Sequence, residues 1–74
     1  MEYDKYQELA NAIVAQAAKD YMKALKRLKK YPKNEDALRQ IRDLKRFFHS
    51  GWYNMLTSID GDRLIAELER TVIT

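Results

Sequence analysis

From Tyr3 to Lys30 the apolar side chains fall at Tyr6, Leu9, Ala10, Ile13, Val14, Ala17, Tyr21, Ala24, Leu25 and Leu28. This three-and-four spacing places them on one face of an α-helix. The stretch holds neither glycine nor proline, so the pattern predicts one uninterrupted helix over about 3–30. Pro32 cannot continue it and biases Tyr31 away from helical dihedrals. Asn34 then has the chemistry of an N-cap, with Glu35 and Asp36 in the first turn, where the helix dipole favours acids. A second helix over about 35–49 carries Ala37, Leu38, Ile41, Leu44 and Phe48 on one side. At Ser50 and Gly51 two readings are open, a new helix capped by Ser50 or a kinked continuation through Trp52, Met55 and Leu56, and a short third helix over about 51–57 is the one expected. A turn from Ser58 to Asp62, capped by Asp60 or Ser58, leads into a last helix over about 61–72 that turns Leu64, Ile65, Leu68 and Val72 inward.

The predicted fold is therefore all-α: a small helical bundle in which one long N-terminal helix is packed by a helical hairpin partner, a short helix and a C-terminal helix. Its predicted core is Ile13, Ala17, Tyr21, Leu25, Leu28, Ile41, Leu44, Phe48, Trp52, Leu56, Leu64 and Leu68. A chain of 74 residues is one domain, 1–74, with little room for a deep catalytic pocket. The absence of cysteine removes disulfides, thiolate metal sites and Cys nucleophiles together. No apolar stretch approaches the roughly 20 residues that cross a bilayer. Glu2, Asp4 and Glu8 stand where a secretory signal carries a basic and then an apolar segment. The expected location is cytoplasmic, with no membrane partner.

Charge changes the picture more than composition does. Residues 19–46 carry eleven Lys or Arg against Asp20, Glu35, Asp36 and Asp43, a net of +7, while the segments on either side are each −2. A run of this density attracts acidic partners. At 100° per residue, Lys19, Lys23, Lys26 and Lys30 form a strip opposite the apolar face of the first helix. Arg39, Arg42 and Arg46 do the same on the second. These seven residues are candidates for electrostatic binding of an acidic protein or of phosphates. Charged strips of this kind more often simply face water, and that reading stands beside the functional one.

Phe47, Phe48, Trp52 and Tyr53 crowd four aromatics into seven residues. Phe48 and Trp52, four apart, are expected in the core, which leaves Phe47 and Tyr53 as weaker candidates for an aromatic binding surface. His49 is the only histidine and has no further ligand at helical spacing nearby. Asp60-Gly61-Asp62 lacks the remaining ligands of a calcium loop, so helix capping accounts for it better. No nucleophile with a base and no phosphate cradle is present, and no catalytic residue, metal or cofactor is expected. The Trp52–Thr57 segment is too short and too apolar to serve as a recognition helix in a DNA groove.

The stretches AIVAQAAKDYMKALKRLKKYP, Ala12 to Pro32, and FFHSGWYNMLTSIDGDRLI, Phe47 to Ile65, resemble small uncharacterised proteins of phages, prophages and mobile elements of Gram-positive bacteria. The resemblance covers most of the chain and implies a genomic setting but no catalytic residue. Tiny proteins in that setting regulate host machinery or inhibit host-defence nucleases, CRISPR effectors among them. The expectation is a non-enzymatic protein-binding module that modulates a host or element-encoded partner with an acidic surface by occluding it. The alternative is a nucleic-acid-associated protein that uses the same basic strips. A homodimer is also expected if the later helices leave part of the first uncovered, with Tyr3, Tyr6, Ala10 and Val14 as its contacts.

Overall fold

A computed structural model describes residues 5–73 and, among them, four helices and no strand: α1 (Lys5–Lys30), α2 (Glu35–Phe48), α3 (Gly51–Leu56) and α4 (Gly61–Ile73). The fold is the all-α bundle that the periodicity predicts. Residues 1–4, which include Tyr3, lie outside the described residues.

Each boundary has a local cause. At the end of α1 the Tyr31 amide still donates to the Arg27 carbonyl at 2.8 Å, and the Asn34 amide then turns back to the Tyr31 carbonyl at 3.0 Å. Asn34 caps α2 by accepting the Ala37 amide at 2.9 Å. Between α2 and α3, Ser50 acts on both sides of the break. Its Oγ donates to the Phe47 carbonyl at 2.7 Å and accepts the Tyr53 amide at 3.1 Å, so one hydroxyl closes one helix and opens the next. Of the two candidate caps for α4, Asp60 is the one used: its Oδ2 accepts the Arg63 amide at 3.2 Å.

α2 runs back along α1. Leu25 and Leu28 stand across from Leu38 and Ile41, and Ile13 and Ala17 across from Leu44 and Phe47. α4 starts against Phe48, where the chain approaches so closely that a Cβ at Gly61 would overlap the Phe48 carbonyl oxygen. It ends beside α1, where Lys29 Nζ donates to the Val72 carbonyl at 3.4 Å. The core consists of Val14, Ala17, Tyr21, Ala24, Ile41, Phe48, Tyr53, Ile65 and Leu68. Ile13, Leu25, Leu28, Leu44, Leu56 and Leu64, expected in the core, are half-buried. Ala10 and Val14, expected as dimer contacts, are buried within the chain instead.

The radius of gyration is 13.5 Å, against about 11 Å for a compact domain of this length. The excess comes from α1. Its 26 residues span about 39 Å at 1.5 Å per residue, and α2 is only 14 residues long.

Candidate partner-binding site

The seven basic candidates, Lys19, Lys23, Lys26, Lys30, Arg39, Arg42 and Arg46, all lie at exposed positions. Of these only Arg39 has a carboxylate partner among the described residues, Asp36 one turn earlier, at a loose 3.9 Å. Lys30 Nζ sits 5.6 Å from the Tyr31 ring centre, a cation–π distance. Each strip is opposite the apolar face of its own helix. Both strips therefore face outward.

The aromatic cluster corrects the sequence reading. Tyr53, a weaker candidate for the aromatic binding surface, is fully buried at 0% exposure, whereas Trp52, expected in the core, is 57% exposed. The reason is the break at Ser50. The four-residue spacing from Phe48 to Trp52 would put both on one face only in a continuous helix, and capping at Ser50 restarts the helical phase. Tyr53 then packs edge-on against Phe48, with ring centres 5.6 Å apart and planes at 89°, and against Phe47 at 5.7 Å and 86°. Phe48 continues the stack to Tyr21 at 5.8 Å and 85°. These are the edge-to-face geometries that the ring quadrupoles favour. Phe47 is half-buried and holds the Trp52 indole at 5.5 Å and 75°, so it supports the exposed ring more than it offers a surface of its own.

Trp52 and Phe47 share a shallow hollow with Asp43, Arg46 and Ser50. Met55, one turn beyond Trp52 on α3, is also exposed, at 85%, as is Ile59 in the turn after α3, at 51%. The arginine strip of α2 therefore leads, at Arg46, to the exposed ring of Trp52 on α3. Sequence reasoning missed Trp52. The available signal was Ser50 as an N-cap, which makes Trp52 the second residue of a new helix and not the continuation of an old one.

His49 and Asp62 join the ends of two helices. His49 Nε2 lies 2.5 Å from Asp62 Oδ1, which ties the C-cap of α2 to the first turn of α4. Spacing within a helix does not pair His49 with Asp62, because the two meet only through tertiary packing. Both side chains are exposed, so the pair contributes at most about 1 kcal/mol. Among the described residues no group of three or more His, Cys, Asp or Glu could hold a metal ion, and no helix is long and apolar enough to cross a membrane.

The chain matches no protein-family model, no curated protein and no solved structure.

Proposed function

We propose that the protein is a non-enzymatic binding module that occludes an acidic surface of a protein partner with the arginine strip of α2 and the exposed ring of Trp52. The observation that carries this reading is the 57% exposure of Trp52 beside Arg46. An exposed tryptophan held against Phe47 is pre-oriented, so little rotamer entropy is lost on binding, and Trp and Arg dominate interface hot spots. Arg42 and Arg46 have no carboxylate partner among the described residues, so a partner's carboxylates would not have to displace an internal one. The sequence resemblance adds a setting: a mobile-element protein acting on a host or element-encoded factor, a defence nuclease being one such target. The second reading, phosphate binding to a nucleic acid, is supported by the same cations and by the lysine strip of α1.

The test is affinity capture from host cells, with mass spectrometry and nucleic-acid sequencing of what is retained, run in parallel for Trp52→Ala and for Arg39→Glu/Arg42→Glu/Arg46→Glu. Both variants keep the helical circular dichroism of the parent because the altered positions are exposed. The captured protein is lost from both, with Trp52→Ala weakening binding by about 2 kcal/mol, roughly thirtyfold. Retention of the same protein by both variants overturns the proposal. Capture of nucleic acid, with affinity falling steeply as salt rises, selects the second reading.

A further inference from the structure

The part of α1 that extends past the hairpin carries a stripe unlike the two basic faces. α2 pairs with α1 from Leu28 back to Ile13, so the first two turns of α1 lie beyond its end. Leu9 is 60% exposed there, Ile13 is half-exposed, and Tyr6 is exposed as well. Leu9, Ile13, Gln16 and Asp20 recur at spacings of four, three and four, a single seam running beside the buried face. At its far end the seam opens into a hollow of about 310 Å³ lined by Ile13, Gln16, Ala17, Asp20, Leu44 and Phe47, almost all of it apolar. One chain thus presents both an apolar knob, Leu9, and an apolar hollow on the same helix face.

We infer that this seam is a twofold interface between two copies of the chain, with the α1 helices antiparallel and crossing at Ile13. A surface that carries its own complement is what an isologous dimer needs. The crossing at Ile13 sets Leu9 of one copy over Ala17 of the other, in the hollow closed by Leu44 and Phe47. Charge chooses the direction. In this register Lys5 comes within one residue of the level of Asp20 of the second copy, and Glu8 within one residue of the level of its Lys19. A parallel pairing would set Lys5, Glu8, Lys19 and Asp20 each against its own like charge. The expected dimer contacts therefore shift from Ala10 and Val14, which the chain buries itself, to Leu9 and Ile13. The inference does not rest on the partner-binding role proposed above: the seam residues Leu9, Ile13, Gln16 and Asp20 lie off the arginine strip of α2 and away from Trp52, and the two surfaces share only Phe47.

The experiment is sedimentation equilibrium of the full chain at high micromolar concentration, combined with cross-linking. A species of twice the 8.8 kDa chain mass is expected. Leu9→Asp, at an exposed position, weakens the dimer at least about tenfold while leaving the helical signal unchanged. Lys5→Glu is the second variant. It places an acid in the first turn of α1, which favours the helix itself, and still weakens the dimer; adding Asp20→Lys restores it. Since the chain has no cysteine, introduced thiols report the direction. Leu9→Cys mixed with Gln16→Cys gives a disulfide heterodimer, whereas Leu9→Cys alone does not cross-link. Only 8.8 kDa species, a dimer indifferent to Leu9→Asp and Lys5→Glu, or self-cross-linking of Leu9→Cys overturns the inference.

Discussion

Two phenols enter the core, and the chain treats them differently. Tyr21 donates its hydroxyl to Glu69 Oε1 at 3.0 Å, and Glu69 is in turn approached by Lys45 at 3.9 Å. The Tyr53 hydroxyl is buried with no hydrogen-bond partner among the described residues. Tyr21→Phe should therefore cost about 1 kcal/mol, while Tyr53→Phe should be neutral or stabilising by about 1 kcal/mol, since it removes a desolvated group that gains nothing in return. Burial raises the pKa of Tyr21, and its hydrogen bond to Glu69 and that residue's negative charge add to the effect. Burial also raises Tyr53, with the charge of Asp60 adding to it. A raised pKa means that the folded state holds its proton more tightly than the unfolded chain does. The resulting stability is complete below the unfolded value of about 10 and is lost as pH rises from there through the folded values. Urea unfolding across this range should show stability falling above about pH 10. The fall should be shallower in Tyr21→Phe/Tyr53→Phe, and an unchanged slope would remove these phenols as its cause.

At the scale of elements, the junctions carry most of the specificity. α3 has only six residues and would not persist as an isolated helix. It is held by the Ser50 cap and by Tyr53 in the core. The two glycines of the chain, both at the start of a helix, have opposite meanings. A Cβ at Gly61 would overlap the Phe48 carbonyl oxygen, a backbone atom that cannot move without disturbing the end of α2. A Cβ at Gly51 would meet nothing within 4 Å, and neither glycine has a positive φ. Gly61→Ala should thus destabilise the fold by about 1–3 kcal/mol through overpacking. Gly51→Ala should stabilise it by about 0.4–1 kcal/mol by restricting the unfolded chain. Paired thermal melts check both signs at once; equal shifts for the two variants would contradict the close approach at Gly61.

Across the whole molecule, Phe48 is where the elements meet. It lies at the end of α2, touches Tyr21 of α1 and Tyr53 of α3 through ring edges, and lends its carbonyl to the seat of Gly61 at the start of α4. Phe48→Ala should cost about 3–5 kcal/mol. A domain this small commands about 5 kcal/mol or less, so circular dichroism should show the variant largely unfolded. Its failure would be global, because this buried ring meets α1 and α3 directly and its residue seats the start of α4. The elongated outline, 48 × 23 × 17 Å, follows from a long helix met by partners that are each about half its length or less. That mismatch leaves the Leu9 and Ile13 seam open at one end, while the lysine and arginine strips both stay exposed.

Local chemistry was enough to read the helices, the cap at Asn34, a last cap narrowed to Asp60 or Ser58, the turn at Pro32 and the outward placing of all seven basic candidates. Each of these depends on spacing within one element or on a side chain within three residues of the backbone group it caps. The residues that carry the proposed site were decided by tertiary structure. Trp52 left the core in which it was expected, and Tyr53 entered it, because helical phase does not cross a capped break. His49 found Asp62, and Gly61 its tight seat on Phe48, only because α4 returns to the end of α2. The hollow beside Ile13 exists only because α2 ends where it does along α1, a matter of relative helix length and register that periodicity within either helix does not contain.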